Sequence, residues 1–189
     1  MQKNRFEAFS DGVIAILITI MVLEIKVPHG TTFAALEPLS LKFLSYALSF
    51  VNVSIYWNNH HHMIHSVDRI NGNILWANLH FLFWLSLMPF GTAWIGESRF
   101  APAPVFCYGI DLIMCAISYF ILQNAIIQHQ DPESLLKKAI GADYKGRTSL
   151  GTYAVGIAVS LFAPLVAMGL YLCVAIMWFI PDRRTEGNV

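Results

Sequence analysis

Few side chains in this sequence could do chemistry, and most of them sit where water is scarce. Asp11 interrupts the apolar run "NRFEAFSDGVIAILITIMVLEIKVP", Asp111 interrupts "YGIDLIMCAI", and His60, His61, His62 and His65 fall within "YWNNHHHMIH". An ionised carboxylate below the lipid headgroups is costly, so it should face a partner or water and marks function by default. Arg5 is the nearest cation to Asp11 in sequence. Six residues at about 100° each leave the two roughly 120° apart around a helix, so a partner for Asp11 must come from another segment. The candidates are Trp57, Asn58, Asn59, His60, His61 and His62, which the next apolar segment delivers to the same depth. The alternative is that Ser10 and Asp11 cap a helix at an aqueous boundary, as Ser and Asp often do.

Other chemistries have thinner support. His61 and His65 stand at i and i+4 and could share a zinc ion, but a third and a fourth ligand are not apparent. A polar network between helices, with some capacity for pH sensing, is the better reading, and no metal site is assigned. His80 reads as a satisfied interior histidine. Asp111 should find an internal partner or lie on a proton path. Cys107, Cys115 and Cys173 are odd in number and lie in apolar runs, which fits small buried hydrophobes. There is no Gly-rich phosphate cradle, no nucleophile elbow and no HExxH, so neither an enzyme nor a bound cofactor is expected.

The elements that must position these residues follow from composition. The chain of 189 residues is 56% hydrophobic and 13% charged, with a mean hydropathy of +0.55, too apolar for a soluble domain of this size. An all-α integral membrane protein is expected, with the lipid bilayer as partner. The formal net charge of zero argues against nucleic acid. Glu7 and Asp11 interrupt the place where the apolar core of a signal peptide would sit, so no cleaved leader is expected. Windows of about 20 residues place spans near 6–26, 41–58, 74–95 and 105–128. The last run, Thr148 to Ile180, would reach roughly 50 Å as one helix, too long for a hydrocarbon core of about 30 Å. Two short spans, 148–162 and 164–180, turning at Phe162-Ala163-Pro164, fit better. Pro89 marks a kink and Pro164 a turn.

Six spans in one domain, residues 1–189, put Lys3, Arg5, Arg69, Lys137, Lys138, Lys145, Arg147, Arg183 and Arg184 on one side and Lys26, Lys42 and Arg99 on the other. By the positive-inside rule both termini are cytoplasmic. The longest loop, "HQDPESLLKKAIGADYKGR", has Asp131 as N-cap, Pro132 at the first helical position and Gly141 as a stop. A short cytoplasmic helix is expected there, with Leu135, Leu136 and Ile140 lying against the membrane or the other spans.

The residues around Asp11 carry a more specific signal. "RFEAFSDGVIAILIT" resembles the signature of the transmembrane protein 175 family, potassium channels of endolysosomes and of bacteria. The matching positions are Arg5, Phe9, Ser10, Asp11, Ile16 and Thr19. The Trp and His cluster ending span 2 and the segment "NLHFLFWLSLMPFGTAW" also look like the family's, so the resemblance covers essentially the whole chain. Animal members carry two six-span repeats and work as dimers, whereas this sequence holds one FSD. The resemblance therefore implies a bacterial, single-repeat member in the cell membrane, assembled as a homotetramer with helix 1 lining a central pore.

It further implies a potassium-selective channel whose permeant ion is its only inorganic partner. On periodicity alone Ile16, Ile20 and Leu23 form a stripe at i, i+4 and i+7 that would read as packing. Under the resemblance they match the family's constriction, narrow apolar rings where potassium sheds its water more readily than sodium. The Thr19 hydroxyl would either offer the ion an oxygen or bond back to the Ala15 carbonyl. Arg5, Phe9, Ser10, Asp11, Trp57, His60, His61 and His62 would form the supporting network. The alternative is a proton-coupled or cation secondary transporter in which Asp11, Asp111 and the histidines titrate. Such a carrier normally shows an internal repeat and broken helices, and span 1 has neither Gly nor Pro between Val13 and Lys26.

Overall fold

Without water in the hydrocarbon core, backbone N–H and C=O groups must satisfy one another within a segment, so long apolar runs become helices. A computed structural model describes residues 2–65, 67, 69–128 and 144–179. The described residues form α1 (Lys3–Leu23), a 3-10 helix (Phe33–Leu39), α2 (Ser40–His65), α3 (Gly72–Leu85), α4 (Met88–Glu97), α5 (Pro102–Ile127), α6 (Tyr144–Ser160) and α7 (Pro164–Phe179), with no strand among them. Among the described residues four stretches are long and apolar enough to cross a membrane: Lys3–Leu23, Phe33–His65, Gly72–Glu97 and Pro102–Ile127. The C-terminal run divides where expected, into helices of 17 and 16 residues. The helix expected between Asp131 and Gly141, with Leu135, Leu136 and Ile140, lies outside the described residues.

Local chemistry sets the breaks. The Asn71 side chain accepts a hydrogen bond from the Ile74 N–H at 2.9 Å and caps α3. At Pro89 the chain does more than kink: α3 stops, Ser86 and Leu87 intervene, and α4 begins with Pro89 in its first turn. Proline has no N–H to offer the carbonyl one turn back, and the first turn of a new helix is where that loss costs least. Between α4 and α5 the chain reverses through two consecutive left-handed residues, Arg99 and Phe100 (φ 55° and 60°). The turn is held by the Phe100 N–H on the Ile95 carbonyl at 3.1 Å and by burial of the Phe100 ring. A second difference concerns α2, which runs seven residues past the expected span end, so the histidine cluster is helical and keeps a fixed register with Trp57.

Packing divides the bundle in two. In one half α1 lies against α2, α3 and α4; in the other α5, α6 and α7 pack on one another, and the halves meet through α3 and α4 on α5 and α2 on α7. Gly109 and Gly156 admit the Tyr171 ring between α5, α6 and α7, since a methyl group at either would collide with it. On α1 the buried residues are Phe6, Ser10, Ile14, Leu17 and Met21, spaced four, four, three and four apart, as one helical face requires.

Candidate functional site

Ser10 and Asp11 are consecutive, so on a helix they point about 100° apart. The structure uses that divergence to tie α1 to two neighbours. Trp57 Nε1 on α2 donates to Asp11 Oδ1 at 3.0 Å. Asn78 Nδ2 on α3 donates to Ser10 Oγ at 2.9 Å, and Ser10 donates onward to the Phe6 carbonyl at 3.0 Å. The Asn78 amide oxygen lies 2.8 Å from His60 Nε2. An amide oxygen only accepts, so His60 must carry its proton on Nε2. The bonds then run one way, from His60 through Asn78 and Ser10 to the α1 backbone, and all three side chains are buried. The His60 ring also stacks on Phe81, centroids 5.8 Å apart and planes at 13°.

Asp11 lies in the third turn of a helix whose N-cap is Gln2, so it does not cap α1. Its donor is an indole and not a histidine. His61 Nδ1 is 3.4 Å from Glu7 Oε1, and the His61 ring stacks on Trp57 at 5.9 Å. His62 is exposed and meets His61 edge-on at 5.8 Å. Asn59 turns back to the Ile55 carbonyl on its own helix, at 2.8 Å. Lys3 Nζ donates to the His65 carbonyl at 2.6 Å, joining the start of α1 to the end of α2. Arg5 and Phe9 are exposed, and Arg5 makes no bond to a described residue. Among the described residues, the groups that could hold a cation are Glu7, Asp11 and His61, whose ligand atoms lie within 4.8 Å of one another; His65 is not among them.

Another face of α1 is largely exposed among the described residues. Ile16, Ile20 and Leu23 are 57%, 41% and 69% exposed, whereas Ile14 is 0% exposed. Thr19, also on the exposed side, donates to the Ile16 carbonyl at 2.8 Å. Its acceptor is thus the carbonyl three residues back, not that of Ala15, because a Thr rotamer in a helix reaches either.

Three features were not foreseen. Asn78, central to the network, sits in "NLHFLFW" as a polar residue inside an apolar run, the same signal that singled out Asp11. Deeper in the bundle, Thr92 on α4 donates to Ser49 Oγ on α2 at 2.6 Å, and Ser49 pairs with the Tyr108 hydroxyl on α5 at 2.8 Å. Asp111 is buried at 6% exposure, and neither carboxylate oxygen has a hydrogen-bond partner among the described residues. Elsewhere, His80 accepts from Trp84 Nε1 at 3.0 Å. Cys115 is buried as expected, but Cys107 and Cys173 are exposed; an apolar run that faces lipid offers a thiol the same surroundings as a core.

Helices apolar on the outside and hydrogen-bonded at their contacts define a multi-pass membrane protein. A family model described as "Endosomal/lysosomal potassium channel TMEM175" matches residues 5–89, the segment that holds the whole Ser10, Asp11, Trp57, His60 and Asn78 network. A protein named "Potassium channel" from Chryseobacterium sp. (strain P1-3) is 57% identical over 189 residues, covering 100% of this chain and 98% of the relative. The mouse "Endosomal/lysosomal proton channel TMEM175" is 33% identical over 140 residues, 67% of this chain and 28% of that protein. Among solved structures, the crystal structure titled a lysosomal potassium-selective channel TMEM175 homolog from Chamaesiphon minutus superposes with a TM-score of 0.78 at 28% identity, covering 95% of this chain and 97% of that one. The chain belongs to the TMEM175 family, a family of ion channels and not of enzymes.

Proposed function

We infer that this protein is a potassium-selective channel of the cell membrane, a homotetramer of single six-span domains (residues 1–189) with both termini cytoplasmic and α1 around the pore. The observation that carries the reading is the contrast across α1. One face is buried and hydrogen-bonded to α2 and α3, while Ile16, Thr19, Ile20 and Leu23 stand exposed on the other. One helix cannot enclose a path, so copies related by cyclic symmetry would bring the stripe to an axis. The Ser10 and Asp11 ties would hold each copy of α1 at a fixed rotation. Apolar rings contribute no oxygen to replace lost water, so passage would favour the cation that dehydrates more easily. The relatives and the solved structure named as potassium channels support the ion. α6 and α7, 17 and 16 residues long, reach about 25 Å each and would cross as short spans.

The carrier alternative has one observation in its favour, the Asp111 carboxylate without a hydrogen-bond partner among the described residues, whereas Asp11 is engaged by Trp57. Recording from purified protein in planar bilayers under opposed potassium and sodium gradients separates the two. Unitary currents reversing near the potassium equilibrium potential are expected. Stoichiometric flux without unitary events would overturn the channel reading.

A further inference from the structure

The half of the bundle away from α1 contains a cavity of about 530 Å³ between α2, α5, α6 and α7. Its described lining combines apolar side chains such as Ile55, Phe120 and Leu150 with several donor-bearing ones; Asn52, Asn59, Ser149 and Trp178 are already hydrogen-bonded, and Gln123, Asn124 and Arg147 stand near the ends of their helices. None of these last three side chains makes a hydrogen bond or ion pair with a described residue, and no described carboxylate lines the cavity. Among the described residues the cavity therefore holds one cation and two amides without a partner and no acid, a set complementary to an anion. Its apolar walls are complementary to a hydrocarbon chain. The position agrees with both. Arg147 begins α6 and Gln123 and Asn124 end α5, at the end of the bundle where Lys3 bonds the last residue of α2. That end carries Arg69 and Lys145 as well, the side that the positive-inside rule assigns to the cytoplasmic leaflet.

We propose that this cavity binds an anionic phospholipid of that leaflet, its phosphate on Arg147, Gln123 and Asn124 and the start of one acyl chain among Ile55, Phe120 and Leu150. At about 30 Å³ for a group the size of a water molecule, the space takes roughly 18 such groups, enough for a headgroup and several methylenes but not a whole two-chain lipid. Basic pockets between transmembrane helices on the cytoplasmic side bind anionic headgroups in this manner. The site stands apart from the exposed face of α1 and does not depend on what passes there.

The test is native mass spectrometry and thermal melting of the purified full-length protein with phosphatidylglycerol, with phosphatidylcholine and with inorganic phosphate. The expected result is one phosphatidylglycerol retained per chain in preference to phosphatidylcholine. Arg147→Gln should weaken retention about tenfold or more, the scale of one charge-assisted hydrogen bond, while Arg147→Lys retains most of it. Gln123→Leu, which removes a donor without touching the charge, should weaken retention several-fold and serves if Arg147→Gln does not fold. Equal retention of the two lipids, or undiminished retention in folded Arg147→Gln or Gln123→Leu protein, would overturn the proposal. So would inorganic phosphate protecting against melting as well as phosphatidylglycerol does, since the ligand would then be a soluble anion.

Discussion

The two faces of α1 are equally helical and nearly equally apolar, yet they live under opposite rules. The face with Phe6, Ser10, Ile14, Leu17 and Met21 is buried within its own chain, and its one polar residue is tied into a chain of directed bonds. The face with Ile16, Thr19, Ile20 and Leu23 is exposed, and its one hydroxyl turns back on its own backbone. Hydrogen bonds on one side of the helix fix its rotation and so decide which apolar residues stand exposed on the other. Exposed hydrophobic residues are ordinary against lipid, so exposure alone carries little. The information lies in the polar network, which costs desolvation and ordering and makes the rotation unique.

The comparison can be broken hardest from the buried side. Ile14→Asn places an amide at a position with no room and no partner and should destabilise the fold by about 3–5 kcal/mol, the sum of lost apolar burial and an unsatisfied polar group. A fall in melting temperature and in monodisperse yield would register it. Asn78→Leu comes next. It strands the His60 Nε2–H and leaves Ser10 Oγ without its donor, for about 2–4 kcal/mol; wild-type melting in this variant would show that the network is incidental to the packing.

Asp11→Ala removes the acceptor of the exposed Trp57 indole and should cost about 0.5–1.5 kcal/mol, read as lower thermal stability and assembly yield. Asp11→Asn keeps an acceptor for Trp57 and should recover most of that loss, unless the charge itself matters. The smallest effect on stability, about 0.5 kcal/mol or less, is expected from Ile16→Asn, because the position is already exposed. That variant sharpens the comparison through function. If Ile16 rings the pore, the reversal potential under a potassium and sodium gradient moves toward zero while folding is spared. Unchanged selectivity in well-folded protein would remove Ile16 from the ion path.

Much of this was legible in the residues. Asp11, Trp57 and the histidines stand out because polar groups are rare in apolar runs, and Pro164 announces a turn, whereas Pro89 read as a kink within one span and instead opens a new helix. The periodicity of Ile16, Ile20 and Leu23 marked one face of α1, although the same spacing suits packing as well as a pore. Asn78 carried the same signal as Asp11 and was passed over within "NLHFLFW", since an uncharged amide among aromatics stands out less than a charge. The pairing of Thr92, Ser49 and Tyr108 was not legible at all, because single Ser and Thr residues in apolar helices commonly bond their own backbone.

By itself the sequence determined that this chain enters a membrane, which stretches are apolar enough to be helical there, and that Asp11 cannot be answered from within its own helix. Those are matters of hydropathy and 3.6-residue geometry, both properties of short stretches of chain. Only the tertiary structure decided that Trp57 and not a histidine answers Asp11, that Asn78 carries the link from Ser10 to His60, and that Asp111 has no hydrogen-bond partner among the described residues. Each of those depends on how far every helix is rotated about its own axis. A turn of about 100° exchanges one residue for the next, and packing against three neighbours at once, not any local sequence, sets that angle.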